Sequence, residues 1–309
     1  MAEAAVSARY FGRGGVTTAA GIVAVGSMWG VAFLFTAVSL RQFSFMQVAS
    51  GRLAIAAFVL AVFATFTKSW SSLASVPVRL LLAMGILNAA LPVTLVTLAQ
   101  RQVPSSTAAL FNATVPVLTV ALALVSGAER RPGAARLIGT GVGFIGVVVM
   151  VGVAGDGSWG ARAALFGAAL SYASSFVLAG RSRLSAASGV ATAAVQMMIG
   201  AAVVGVVMLV RGWSPVGAPG APVIALFTLA VVSTALPAGL FYWLVREAGP
   251  GRASLTTYMV PVVGVMAGWA VLQETPSPQA AVGAAIVLAG VVVGQRRGRP
   301  AKNQAEEVR

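Results

Sequence analysis

One arginine stands where the sequence offers no water. Arg52 follows Gly51 inside an apolar run, roughly 14 Å from the outer end of its helix at 1.5 Å rise per residue. An ionisable side chain at that depth is costly and marks a candidate site. A guanidinium offers a planar fork of donors, so its natural partner is a carboxylate, or backbone carbonyls freed at a broken helix. The structural alternatives are a bond to backbone oxygens at a helix contact, or snorkelling outward.

Further polar and aromatic residues interrupt the apolar runs. In the first half they are Ser27, Trp29, Asn88, Asn112 and Thr114; in the second, Ser171, Tyr172, Ser175, Ser233, Thr234, Tyr242, Trp243, Thr256, Thr257 and Tyr258. Polar side chains in a bilayer face protein or water rather than lipid. Ser and Thr can bond their own helix backbone, and Tyr242 and Trp243 could form part of an interfacial belt. Asn88, Asn112 and Trp29 are the stronger candidates, since an amide has more hydrogen-bonding capacity than a local backbone contact satisfies. The expected substrate-binding set is Ser27, Trp29, Arg52, Asn88, Asn112, Tyr172, Ser175, Thr234, Tyr242, Thr257 and Tyr258.

Other chemistries lack their residues. There is no Cys and no His, which removes thiolate metal sites, disulfides and the usual proton switch. The seven carboxylates, Glu3, Glu129, Asp156, Glu247, Glu274, Glu306 and Glu307, all fall in connections or at helix ends. Neither a cofactor nor a metal is expected. A proton-driven pump usually carries an acid or His within the membrane, so facilitated diffusion or exchange fits better. Glu129 and Glu274 lie at mirrored helix ends, where gating is one role; pairing with nearby arginines is another for Glu129, beside Arg130 and Arg131, whereas Glu274 has no basic neighbour in sequence.

The elements that position these residues follow from composition. The chain is 58% hydrophobic and 9% charged, against about 25% charged in a soluble protein. It reads as an all-α polytopic membrane protein. Ten helices are expected near residues 16–39, 43–66, 76–99, 104–125, 134–153, 159–180, 188–210, 221–245, 250–272 and 278–295, separated by charge, Gly, Pro or Ser. The net charge of +14 orients the protein in the bilayer rather than binding nucleic acid. With the N-terminus inside, the outer side holds only Arg41, Arg101, Arg162 and Arg211; apart from Arg52, all other Lys and Arg residues fall inside. Both termini are therefore expected in the cytoplasm.

The sequence also repeats itself. Ala90-Leu91-Pro92 through Arg101 to Val115-Pro116 returns 145 positions later as Ala235-Leu236-Pro237 through Arg246 to Val260-Pro261. Nine of 29 positions from Asn88 to Pro116 are identical to those from Ser233 to Pro261. Trp29-Gly30 to Phe33 aligns with Tyr172-Ala173 to Phe176, and Arg52 with Gln196. Five helices per copy is an odd number, so the second copy enters from the other side. The expected fold is a five-plus-five inverted-topology repeat, with residues 1–153 and 159–295 as its halves and 296–309 as a basic cytoplasmic tail. Such repeats are characteristic of secondary transporters with a midplane site. Pro92, Pro116, Pro237 and Pro261 each remove a helix hydrogen bond and are the expected hinges. Gly139, Gly141, Gly143 and Gly146, with Gly283 and Gly290, predict close packing of the fifth and tenth helices, within one chain or between chains.

Taken together, Ser27-Met28-Trp29-Gly30, Gly51-Arg52-Leu53, and Pro116 and Pro261 ahead of Glu129 and Glu274 resemble the drug/metabolite transporter superfamily, EamA type, over about residues 16–295. That resemblance implies a bacterial inner-membrane exporter of amino acids and other small metabolites, similar to exporters of aromatic amino acids. It also implies that helices 1, 3, 4, 6, 8 and 9 surround a central cavity. The expected partners are a small-molecule substrate and the lipid bilayer, with the protein a monomer or homodimer. The competing readings are an exporter of another metabolite or a drug, a scaffold or receptor, and a membrane-embedded enzyme acting on lipid or polyprenyl substrates. The last typically needs clustered carboxylates for metal, which the sequence lacks.

Overall fold

The computed structural model describes residues 13–127, 133–152, 159–180, 184, 187–211, 220–248, 253 and 256–295. Among these every regular element is helical. Helix α1 runs Arg13–Gly30 and resumes at Ala32–Ser39. Helix α2 is Phe45–Phe66, and a short 3-10 segment, Ser69–Leu73, follows it. Helix α3 is Val78–Gly85, a π-helical turn Ile86–Ala90, and Leu91–Ala99. Helix α4 is Ser105–Phe111, a 3-10 turn Asn112–Thr114, and Val115–Val125. Then come α5 (Ala134–Gly152), α6 (Trp159–Gly180) and α7 (Gly189–Arg211). Helix α8 is Ala221–Ala230, a π-helical turn Val231–Ala235, and Leu236–Ala248; α9 is Thr256–Leu272 and α10 is Pro278–Gln295.

Seven helices, α1–α4 and α6–α8, are long and apolar enough to cross a membrane; the apolar parts of α5, α9 and α10 are shorter. Large apolar side chains such as Phe58, Phe66, Ile145, Leu209 and Trp269 stand exposed on the outside, as a lipid-facing surface requires. The start of α2 is set locally. Ser44 Oγ accepts from Gln47 N at 3.3 Å while Gln47 Oε1 accepts from Ser44 N at 2.8 Å, a reciprocal capping box.

The prolines explain the irregular turns. Regular α geometry would drive the Pro92 ring into a carbonyl four residues back. The chain instead widens to a π-turn, in which Leu91 N bonds to Ile86 O. The same widening precedes Pro237, where Leu236 N bonds to Val231 O. The two π-turns are 145 positions apart, the offset of the repeat. Pro116 follows a 3-10 turn, whereas Pro261 lies within the α-helix α9.

Helix packing has the same regularity. Helix α5 packs on α10, α2 on α7 and α4 on α9; α1 packs on α8 and α9 as α6 packs on α3 and α4. Renumbering every helix by five maps this set of contacts onto itself. The α5–α10 contact is within the chain and antiparallel. A Cβ on Gly146 would meet Gly283 O at 2.7 Å, and one on Gly290 would meet Gly139 O at 2.5 Å. Gly141 takes no part, since a Cβ there meets nothing within 4 Å; its side faces away from α10.

Candidate functional site

The two π-turns sit at the centre of the polar contacts. In the first, the freed group is Leu87 O, because the π-helical donor for it would be the missing N–H of Pro92. Ser171 Oγ of α6 donates to Leu87 O at 2.7 Å. In α8 the matching carbonyl is Val232 O, and the residue aligned with Ser171 is Met28, which has no hydroxyl.

Side chains from α2 and α7 close on these turns. Arg52 Nε donates to Thr234 Oγ1 at 2.8 Å, and Thr234 Oγ1 donates to Leu229 O at 2.8 Å. On the other side Asn88 Nδ2 donates to Gln196 Oε1 at 2.8 Å. Ser175 Oγ lies 3.1 Å from Asn88 Oδ1 and 2.7 Å from Tyr172 O, sharing one proton between two acceptors. Gln196, Asn88, Ser175 and the Tyr172 carbonyl are thus one connected chain of polar groups, and Arg52 and Thr234 form a second set on the other π-turn. The alanines Ala89, Ala90, Ala193, Ala194 and Ala235 pack beside them and let the four helices approach.

Two groups are left with donors to spare. Arg52 is half-buried and uses only Nε, so Nη1 and Nη2 make no hydrogen bond to the described residues. Gln196 is 1% exposed, and its Nε2 has no hydrogen-bond partner. Tyr242 lies along α7, with its ring against Gly189 and its hydroxyl near the Gln196 amide.

The expected site residues divide into three groups. Arg52, Asn88, Tyr172, Ser175 and Thr234 come together as above, and Tyr242 reaches them through Gln196. Asn112 and Tyr172 line a small cleft with Phe33, Val96, Phe111 and Leu165. Trp29 packs instead on Phe241, ring centroids 5.3 Å apart, with Ile22, Val25 and Leu244 around it. Ser27, two residues away on α1, is half-buried on a different face. Thr257 and Tyr258 are half-buried in the first turn of α9 and take no part in the bonds from Arg52 to Gln196.

Sequence reasoning missed several participants. Gln196 entered only as the residue aligned with Arg52, and Ser171 as one hydroxyl among many. Arg162 was expected at an outer helix end, yet it is 5% exposed and has a partner of its own. Glu274 Oε2 accepts from Ser105 Oγ at 2.7 Å and from Ser106 N at 3.1 Å, joining the end of α9 to the start of α4. Glu129 lies outside the described residues.

Comparison with known proteins now decides the family. The model of the EamA-like transporter family matches residues 17–152 and again residues 159–293. The chain belongs to the EamA-like transporter family. An "Uncharacterized inner membrane transporter YedA" of Escherichia coli strain K12 is 28% identical over 198 residues, 63% of each chain. A "Probable terminal-alkyne amino-acid exporter" of Streptantibioticus cattleyicolor is 27% identical over 197 residues, 63% of this chain and 65% of the relative. The matched region spans less than two thirds of either relative's length. A solved crystal structure matches 91% of this chain and 96% of its own with a TM-score of 0.63 at 18% identity, a likeness of fold alone. EamA-like proteins are transporters rather than enzymes, and this one is a multi-pass inner-membrane protein.

Proposed function

We propose that this EamA-like protein is a secondary exporter of small metabolites, amino acids and in particular aromatic ones first among them. It works by alternating access about an inverted five-plus-five repeat of ten spans, with both termini in the cytoplasm. One observation carries the reading. Arg52 of the first half bonds to the π-turn of the second, and Gln196, its repeat partner, bonds to the π-turn of the first. Two matched half-structures, each gripping the other's hinge region, can exchange conformations, which is the requirement for opening a site alternately to each side. The antiparallel crossing of Gly139 and Gly146 on Gly290 and Gly283 supports the opposite orientation of the halves.

The cleft beside Tyr172 has enclosed space for about one water molecule. A metabolite entering there requires α1, α3, α4 and α6 to part, and the π-turn before Pro92 in α3 and the 3-10 turn before Pro116 in α4 are places where they can bend. The carboxylates at helix ends favour facilitated diffusion or exchange over carboxylate-based proton coupling. The relative named as an amino-acid exporter supports the substrate class.

The test is uptake into proteoliposomes of labelled aromatic, aliphatic and charged amino acids, with and without a pH gradient. Equilibrating uptake of aromatic substrates without a gradient, lost in Arg52→Ala, is expected. Uptake that requires the gradient would overturn the uncoupled mechanism. No uptake of any amino acid by folded protein would overturn the amino-acid reading.

A further inference from the structure

Helices α4 and α9 are counterparts in the repeat, and they do not meet evenly along their length. The outer segment of α4, Ser105–Phe111, and the turn Asn112–Thr114 pack on α9. The inner segment, Val115–Val125, packs on α6 instead, where Val115 and Leu118 share a buried cluster with Ala169 and Ala173. The inner half of α9 lies on α1: a Cβ on Gly26 would meet Thr256 O at 2.9 Å. Among the described residues the two helices therefore join through their outer halves and diverge inward.

The join is built around Glu274. Gln273, at φ 57°, is in the left-handed region that favours glycine. It turns the chain back so that Glu274 N donates to Gly268 O at 3.2 Å. The carboxylate then reaches α4, accepting from Ser105 Oγ at 2.7 Å and from Ser106 N at 3.1 Å. Ser105 and Ser106 are buried, so these are hydrogen bonds to a charged acceptor at a site largely shielded from water, the stronger kind. The repeat offset of 145 pairs Ser105, Ser106, Gly268 and Glu274 with Pro250, Gly251, Ala123 and Glu129. Proline has no hydroxyl and no N–H, and alanine adds the Cβ for which Gly268 leaves room. The glutamate occurs at both ends, its full set of partners only at the outer one.

We infer that Glu274 is a one-sided latch. While it holds Ser105 and Ser106, the outer ends of α4 and α9 stay shut and the resting carrier loads from the cytoplasmic side; outward release requires the latch to break. A two-state element takes its resting population from contacts made in one state and not in the other, and the inner end lacks the hydroxyl for an equivalent. The inference rests on the carrier reading above and adds its resting state.

The experiment measures accessibility, which needs no substrate. The chain has no cysteine, so a single cysteine reports on each end. Thr107→Cys lies buried in the outer segment of α4. Thr119→Cys lies in the inner segment, at the repeat counterpart of Gly264, which faces Ala109 across the outer join. Each is labelled by a membrane-impermeant maleimide applied from either side of sealed vesicles. Without further change, Thr119→Cys should react from the cytoplasmic side and Thr107→Cys only slowly from outside. Glu274→Ala should move the two in opposite directions, severalfold faster at 107 and severalfold slower at 119, as the carrier shifts toward its outward-open state. Ser105→Ala, which removes one donor and keeps the carboxylate, should do the same to a smaller extent. Glu274→Gln, whose amide oxygen still accepts, should do least. Acceleration at 107 with 119 unchanged would overturn the latch and leave Glu274 as a local cap on α4. Unchanged labelling at both positions would overturn it as well. The carrier reading fails separately, by absence of uptake in the proteoliposome assay.

Discussion

Arg52 Nε and Thr234 Oγ1 meet at 2.8 Å across 182 positions of sequence. Thr234 keeps its own bond to Leu229 O, so removing Arg52 leaves no buried hydroxyl without a partner. Arg52→Ala should therefore lower the melting temperature little. Its cost should fall on substrate affinity, because a hydrogen bond to a charged group contributes about 1.5–3 kcal/mol. That corresponds to a 10- to 150-fold rise in KM for carboxylate substrates in proteoliposome uptake. A purely structural arginine would give the reverse: a lower melting temperature with KM unmoved in the folded fraction.

The mirrored contact behaves differently, because Asn88 Nδ2 is the donor that the buried Gln196 Oε1 accepts from. Asn88→Ala strands Gln196 Oε1 as well as Nε2 in a site that is 1% exposed. An unsatisfied buried polar group costs about 1–3 kcal/mol, so this variant should melt several degrees lower. Gln196→Leu in the same background should restore part of the loss, since replacing both partners by apolar groups can be nearly neutral. A double-mutant cycle on melting data measures this. Strict additivity would mean that the 2.8 Å bond contributes nothing.

These contacts show where the sequence can be read and where it cannot. Arg52 is legible because a lone charge in an apolar run has few explanations. The pairing of Thr234 with it is not, because most threonines here bond their own helix, as Thr36, Thr94 and Thr97 do. The prolines announce a disturbed helix, but a kink, a 3-10 turn and a π-turn all relieve the same clash, and tertiary packing chooses among them. Gln196 could have been found by asking what the repeat places opposite Arg52. Trp29, in the expected substrate-binding set, packs on Phe241 with ring centroids 5.3 Å apart, an arrangement in which an indole contributes more through buried area than through its single N–H. The helices themselves were readable because their apolar runs are long and broken by charge, Gly and Pro.

The α5–α10 contact provides a test with an internal control. A Cβ on residue 290 would lie 2.5 Å from Gly139 O and from Gly143 N, both backbone atoms that cannot rotate away. Overpacking of this kind costs about 1–3 kcal/mol. Gly290→Ala should lower the melting temperature, and Gly146→Ala should do the same against Val287 N at 2.6 Å. Gly141→Ala meets nothing, so only the gain in helix propensity applies, up to about 1 kcal/mol. Equal effects at positions 141 and 290 would mean that the helices do not touch as described.

Glu274 supplies the last prediction. Its carboxylate accepts from Ser105 Oγ and from the backbone N–H of Ser106, two donors at the start of α4. A negative charge there also faces the positive end of the helix dipole. Gly268 makes room for it, since a Cβ at that position would lie 2.9 Å from Glu274 Oε2. Losing such a cap costs about 0.5–2 kcal/mol, and the bond joins helices from opposite halves of the chain. Glu274→Ala should therefore loosen the first turn of α4 more than the rest of the molecule. The chain has no cysteine, so a single Thr107→Cys reports on that turn, where Thr107 is 5% exposed. Its labelling by a membrane-impermeant maleimide should accelerate severalfold in Glu274→Ala, and much less in Glu274→Gln, whose amide oxygen still accepts. Unchanged labelling in the alanine variant, with uptake preserved, would show that α4 is held without Glu274.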